Sequence, residues 1–202
     1  MTIRKGEDWG TPTVVPEDLQ IAQDDAGLFR LLNSGPVPPL IAVLSGDLAR
    51  TVSASPDRAR YRTGSTATAA PLDLIEVTHD GGSHLVASHA VMRKTWLRGT
   101  VVVAANAQFI GSWDVAPRSH PNDGFMDITE VDPSMSVGQR LLARRRLPTA
   151  SHLPHPGIRT SRAREYQWEF PRELDLYLDG VAQGRTRSVR VRLIPDATLV
   201  LF

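Results

Sequence analysis

The sequence predicts an α+β protein that is mostly β, with a two-sheet β-sandwich carrying one helix preceded by a small α/β segment. From residue 71 onward, short segments of strand length alternate with turn residues, which is typical of a sandwich. The first fifty residues instead follow a strand-helix-strand pattern. Residues 53–70 are rich in Ser, Thr, Ala, Arg and Gly without apolar periodicity, and we interpret them as a linker or a mobile loop. We therefore predict an α/β segment over residues 1–60 and a sandwich domain over residues 71–202.

The predicted α/β segment has a recognisable helix start and stop. Residues 19–23 form a candidate strand, and Asp24 or Asp25 is placed to cap a helix that continues to Leu32 and ends at Gly35. Residues 40–44 are an apolar run typical of a buried strand, and residues 45–47 can begin another helical turn.

The predicted sandwich consists of strands joined by turns, with one basic helix. Asp80-Gly81-Gly82 is a hairpin turn signal, and Ser136 can cap a helix that has Leu141 and Leu142 on one side and arginines elsewhere. The candidate strands are residues 72–77, 85–90, 100–105, 126–131, 165–170, 174–178, 188–194 and 198–202.

Composition excludes several classes of function. The chain of 202 residues has 23 basic and 22 acidic residues, so its net charge of +1 gives no global field that would attract nucleic acid. It contains no cysteine, which excludes disulfide scaffolds, iron-sulfur clusters and thiol nucleophiles. The N-terminus has no apolar h-region, and no apolar run reaches the length of a membrane span. These features predict a cytoplasmic protein.

An ordered series of motifs carries a resemblance to a known family. Residues 101–128 contain a strand ending at Asn106, a glycine, an Ala-Pro pair and then Asn122-Asp123-Gly124. Leu178-Asp179-Gly180 and residues 191–198, which include Pro195-Asp196-Ala197, follow in order. This series resembles the C-terminal half of the diacylglycerol kinase and bacterial lipid kinase family. The resemblance implies ATP-dependent phosphorylation of a lipid hydroxyl, with ATP and Mg²⁺ as cofactors and a lipid as substrate or ligand.

A weaker similarity extends upstream, where the sequence departs from the family. Residues 45–51 resemble a family segment ending in Ala-Arg-Thr, and residues 19–27 align with the strand and the Gly-Gly-Asp-Gly-Thr nucleotide loop. Asp25 keeps the acidic position, but Gln23 and Asp24 replace the two glycines that let backbone amides approach phosphate. The first segment therefore resembles a truncated nucleotide domain. The nucleotide-binding residues that the resemblance implies are Asp25, Gly46, Asp47 and Asn106.

The family's general base is also replaced. In the family, a glutamate after Asp-Gly is thought to accept the lipid proton, and the corresponding residue here is Val181. Asp179 is the nearest candidate for a catalytic carboxylate. The alternative is that Asp179 only shapes the turn before Gly180.

The resemblance further implies a magnesium site in the Asn-Asp-Gly turn. Its ligands would be the carboxylate of Asp123 and the backbone carbonyls of His120 and Phe125, since hard cations prefer oxygen. The alternative is a hairpin turn without a metal. His152 and His155 could together hold zinc, but no third ligand lies nearby in sequence, and we interpret them as a loop.

The basic helix could contact a membrane. Four of its arginines could bring the protein to the inner membrane face as a peripheral protein: Arg140, Arg144, Arg145 and Arg146.

The degraded motifs leave two functions open. The first function is a lipid kinase-family protein with weakened or lost catalysis. The alternative is a non-catalytic module that uses the same sandwich to bind a lipid or a partner, including a second copy in a homo-oligomer.

Overall fold

The computed structural model describes residues 9–202, so the first eight residues of the predicted α/β segment lie outside it. Three α-helices occur in the described chain, namely α1 (Asp25–Leu32), α2 (Asp47–Thr51) and α3 (Val137–Arg146). The first six of its strands are β1 (Thr11–Val14), β2 (Gln20–Ala22), β3 (Leu40–Val43), β4 (Thr66–His79), β5 (Gly82–Val86) and β6 (His89–Arg93). The others are β7 (Val101–Ala105), β8 (Phe109–Ile110), β9 (Trp113–Asp114), β10 (Met126–Val131), β11 (Ile158–Ala163), β12 (Glu165–Leu178) and β13 (Val181–Leu201). The fold is mostly β, as the sequence predicts.

The strand-helix-strand pattern of the N-terminal segment is confirmed. Strands β2 and β3 are parallel neighbours, and α1 connects them with Leu28 and Leu32 fully buried. The Asp24 carboxylate accepts a hydrogen bond from the Gly27 N–H at 2.7 Å, which caps the first turn of α1. The start of α1 follows from the predicted cap, and α2 begins at Asp47, within the residues predicted to begin a helical turn.

One continuous sheet provides both layers of the sandwich. Its strand order is β1-β4-β13-β12-β6-β7-β10-β11, and β5 is a further neighbour of β4. The register shifts within β12 and within β13, and such irregularities bend long strands. The main core lies between the layers and includes Ile75, Met92, Val102, Ile128, Leu176 and Val191. A second sheet contains only β8 and β9 in the described chain.

Several predicted boundaries are wrong in detail. Residues 66–70 belong to β4, and residues 58–61 form a short 3₁₀ helix, so the stretch over residues 53–70 is not a featureless linker. The predicted strand over residues 85–90 is interrupted at Ala87 and Ser88. Conversely, the four last predicted strands merge pairwise into β12 and β13.

The α/β segment and the sandwich share a sheet and a core. Strand β13 pairs with β12 over its first half, and near its end Leu199–Leu201 pair in parallel with Leu40–Ala42 of β3. A second apolar cluster joins side chains from both parts, including Leu28, Ile41 and Leu48 from the first and Leu72, Leu74 and Val200 from the second. The two predicted parts therefore bury apolar surface against each other.

Helix α3 is present where predicted, but its faces are reversed. Ser136 and Gln139 form a capping box at its N-terminus. Arg140 and Ala143 are buried, whereas Leu141 and Leu142 are exposed. The Arg140 guanidinium donates to the backbone carbonyls of Met135, Trp96, Gly99 and Asp132, and these bonds offset the cost of burying it. Arg140 is therefore structural and unavailable to a lipid headgroup.

Candidate functional site

The candidate site surrounds the connection Ala87-Ser88-His89 between β5 and β6. Asn106, which directly follows β7, hydrogen-bonds to this connection. Its side-chain amide donates to the Ala87 carbonyl at 3.1 Å and to the Asp73 carbonyl at 2.7 Å. Its backbone N–H donates to the Ser88 carbonyl at 2.8 Å. Asn106 is fully buried and fixes the positions of Ala87 and Ser88, so it forms the floor of the site.

Asp179 fixes the same connection from the opposite side. It lies at the two-residue turn between β12 and β13, where Asp179 (φ 45°) and Gly180 (φ 79°) both have positive φ, as a type I′ hairpin requires. Its buried carboxylate accepts the backbone N–H groups of Ala87, Ser88 and His89 at 2.8–2.9 Å. Burial raises the pKa of Asp179 to about 7, while these three donors oppose the shift. This geometry supports the turn interpretation of Asp179.

Asp25 connects α1 to α2 and to the β5–β6 connection. Its carboxylate accepts the backbone N–H groups of Asp47 and Leu48 in the first turn of α2, and the Ser88 hydroxyl at 2.8 Å. Gly46 is required for this approach, because a Cβ there would lie 2.0 Å from Asp25 Oδ2 and φ is +104°. Gly46 is therefore a steric requirement of the Asp25 position.

Asp47 faces His89 across the site. The His89 Nδ1 lies 3.7 Å from Asp47 Oδ2, and its Nε2 donates to the Ala107 carbonyl at 3.0 Å. A carbonyl only accepts, so His89 carries its proton on Nε2 when neutral and presents the lone pair of Nδ1 to Asp47. Burial and the neighbouring Asp25 raise the pKa of Asp47 to about 6, and burial lowers the pKa of His89 to about 4. At pH 7 this places an ionised carboxylate against a neutral imidazole.

The predicted nucleotide-binding and catalytic residues thus lie together, separate from the predicted metal ligands. Asp25, Gly46, Asp47 and Asp179 converge on the β5–β6 connection, with Asn106 beneath it. Sequence reasoning missed Ser88 and His89 as members of this site. They lie in what the pattern presents as one continuous strand, so no local signal marks them.

The Asn122-Asp123-Gly124 turn is connected to the floor of this site through Asp73, whose carbonyl accepts the Asn106 amide. Asn122 and Gly124 donate to the buried Asp73 carboxylate at 3.0 Å, so both anchor the turn to β4. The Asp123 carboxylate accepts the Phe125 N–H and pairs with the Arg162 guanidinium.

In this arrangement the Asp123 carboxylate that Mg²⁺ would need pairs with Arg162, whose guanidinium also lies 3.8 Å from the Asp127 carboxylate. The predicted His120 carbonyl accepts the Asp123 N–H at 3.3 Å. Among residues 9–202, no group of three acidic, histidine or cysteine side chains could hold a metal ion, at this turn or at His152 and His155. We therefore derive no catalytic step that uses Mg²⁺ at Asp123.

An apolar cavity of about 80 Å³ lies between α3 and the strands β7, β10 and β11. Its lining includes Val103, Val131, Met135, Ala143, Leu147 and Ile158. His152 also lines it, and the buried Nδ1 of His152 has no hydrogen-bond partner among the described residues. The cavity therefore offers mainly apolar walls.

Comparison with known proteins identifies the family. A model of the family described as the YegS C-terminal NAD kinase beta sandwich-like domain matches residues 47–202, about three quarters of the chain. The chain belongs to this family. No curated protein sequence is significantly similar to it.

Several solved structures share the fold of this chain. Three structures from Bacillus anthracis str. Sterne, described as diacylglycerol kinases, match it with TM-scores of 0.67, 0.59 and 0.56. They are 14%, 13% and 14% identical in sequence to the chain. Each match covers 92% of this chain and 78%, 78% and 76% of the respective structure. The fold of the lipid kinase-like family is thus shared across almost the whole chain.

At two positions this chain has residues other than those that the resemblance leads one to expect. Asp24 uses its carboxylate to cap α1, where the resemblance places the second glycine of a phosphate loop. Val181 packs against the main core at the start of β13 and offers no proton acceptor. The described chain contains no helix that is long and apolar enough to cross a membrane.

Proposed function

We propose that this chain is a lipid kinase-family protein in which ATP-dependent phosphorylation of a lipid hydroxyl is strongly weakened or lost. One observation carries the proposal. The backbone N–H groups that a phosphate would need at the starts of α1 and α2 already donate to the carboxylates of Asp24 and Asp25. A helix N-terminus attracts one anion, and here that anion is part of the protein.

The charge of the site supports the same conclusion. Asp24, Asp25 and Asp47 place three carboxylates at the starts of α1 and α2, and within residues 9–202 none of them forms an ion pair with Lys or Arg. The nearby Arg50 lowers the pKa of Asp47, but its guanidinium stacks on Phe109 and donates to the Gly111 carbonyl. Phosphoryl transfer depends on positioning and charge neutralisation, so carboxylates in place of a phosphate cradle should reduce it severely.

A phosphotransfer assay with diacylglycerol in mixed micelles and radiolabelled ATP tests this function. We expect no transfer above the blank for the full chain, because both the phosphate cradle and the base are missing. A Val181→Glu variant restores a carboxylate at the family position of the base, and we expect it to remain inactive because the cradle is still filled. Transfer by the unmodified chain would contradict the proposal, and transfer by the variant alone would show that the base was the only deficiency.

The apolar cavity favours a second candidate, a non-catalytic lipid-binding module. An apolar cavity of about 150 Å³ holds benzene, so the cavity of about 80 Å³ next to α3 can hold a few methylene groups of a longer chain. Binding of a fluorescent fatty acid that Ala143→Phe abolishes would support this module. Equal binding by the two proteins would exclude the cavity.

A further inference from the structure

The outward face of α3 exposes apolar side chains where a free helix would expose polar ones. Leu141 is 42% exposed and Leu142 is 48% exposed, while Arg140 on the inward face is only 4% exposed. A solvated helix normally directs its leucines inward and its arginines outward. The capping box and the four hydrogen bonds of Arg140 fix α3 in this reversed orientation. The reversal indicates that the outward face has a partner.

The charge around this face is of one sign. Arg145 and Arg146 are exposed in the last turn of α3, next to the exposed leucines, whereas the Arg144 guanidinium lies over the Trp113 ring at the edge of the cavity. Residues 133–164 contain no Asp or Glu, so no acidic residue of this stretch offsets these arginines. Apolar side chains flanked by arginines on a short helix are the pattern of interfacial membrane binding.

We propose that α3 docks this protein on an anionic lipid surface through Leu141, Leu142, Arg145 and Arg146. The leucines enter the boundary between headgroups and acyl chains, and the arginines contact lipid phosphates. The apolar cavity lies on the inward side of α3, where Ala143 lines it, so docking through the outward face leaves the cavity unchanged. The proposal does not depend on whether phosphoryl transfer is lost.

Sedimentation of the full chain with lipid vesicles tests the proposal. We expect binding to vesicles of phosphatidylcholine with about one third phosphatidylglycerol, weaker binding in high salt and little binding to phosphatidylcholine alone. Arg145→Gln/Arg146→Gln should weaken binding roughly fivefold for each arginine. Leu141→Gln/Leu142→Gln should weaken it by about tenfold or more, because the apolar insertion is lost.

Matched variants on other surfaces control for general effects. Val14→Gln/Leu199→Gln removes two exposed apolar side chains, and Arg172→Gln/Arg187→Gln removes two exposed arginines, all outside α3. Both control variants should bind as the unmodified chain does, and circular dichroism should show that all variants are folded. The proposal is overturned if anionic vesicles do not bind the chain, or if the α3 variants bind as well as the controls. It is also overturned if sedimentation velocity shows a dimer that Leu141→Gln/Leu142→Gln dissociates, because a second copy would then cover this face.

Discussion

At the candidate site, the Asp47 carboxylate faces an imidazole, that of His89, which carries no positive charge at pH 7. The Asp47 carboxylate lies 3.7 Å from a nitrogen that carries a lone pair, and Asp25 adds a second negative charge nearby. The folded protein therefore holds the Asp47 proton up to a pH of about 6, whereas the unfolded chain releases it near the ordinary pKa of 3.8. Because the folded state binds more protons in this window, the contribution of Asp47 to stability falls as the pH rises from about 4 to about 6.

We expect Asp47→Asn to stabilise the protein at pH 8. The asparagine oxygen can still accept the Gly111 N–H, and its amide can donate to His89 Nδ1, where the carboxylate has no proton to offer. We compare the unfolding free energy of the variant with that of the unmodified chain at each pH. The difference in favour of the variant should be about 1 kcal/mol larger at pH 8 than at pH 5, since one pKa unit corresponds to 1.36 kcal/mol. Urea unfolding at the two pH values measures it. A variant that is less stable at pH 8 than at pH 5, relative to the unmodified chain, would show that Asp47 is well compensated.

At the scale of elements, the Asn122-Asp123-Gly124 turn is predicted either to bind Mg²⁺ or to be a plain turn. Its sequence is compatible with a metal-binding turn or a plain turn, and no local pattern distinguishes them. The deciding partner is Arg162, which lies 39 residues away in sequence and on the edge strand β11, which was not predicted. A guanidinium supplies the positive charge that Mg²⁺ would otherwise supply.

A magnesium titration separates these two roles. We expect Mg²⁺ to leave the melting temperature of the unmodified chain unchanged, because Arg162 occupies the Asp123 carboxylate. Arg162→Gln should create a magnesium-dependent rise, since a ligand that binds only the native state stabilises it by about 2.7 kcal/mol at a hundredfold excess over Kd. Adding Asp123→Asn to that variant should remove the rise. A rise in the unmodified chain that Asp123→Asn abolishes would instead support the predicted metal site.

Helix α3 shows why an element can be predicted when its orientation cannot. Ser136 and the length of the helix follow from the sequence, as does the cap of α1 by Asp24. The outward direction of Leu141 does not, because it depends on carbonyls of Trp96 and Gly99 that Arg140 reaches across the fold. Likewise, the hydrogen bond from Ser88 to Asp25 spans 63 residues, and that from Ser88 to Asp179 spans 91. Local patterns define caps and strands, but they do not report such long-range polar contacts.

In the molecule as a whole, the α/β segment and the sandwich depend on each other. The sequence favours a boundary near residue 60, and on that basis residues 71–202 would fold alone. The structure favours the opposite outcome, because Leu72, Leu74 and Val200 pack against Leu28, Ile41 and Leu48. Removing the first part would expose this apolar face and one edge of β13.

We therefore expect deletion of residues 1–60 to cause aggregation or loss of cooperative unfolding. Size-exclusion chromatography and thermal unfolding of the truncated chain, under conditions in which the full chain stays in solution, measure this effect. Charge substitutions at Leu72 and Leu74 in the full chain should be similarly damaging, because both side chains are fully buried. A truncated chain that is monomeric and melts cooperatively would establish residues 61–202 as an independent domain.

Calorimetric titration of the full chain with Mg·ATP tests most directly whether carboxylates have taken the place of the phosphates. We predict no saturable heat up to about 1 mM, the upper end of usual enzyme KM values. Asp24→Gly, which frees the Gly27 N–H, serves as the matched variant and should bind at least as well as the unmodified chain. Saturable binding of one Mg·ATP by the unmodified chain in the micromolar range, lost on Asp25→Ala, would contradict the account.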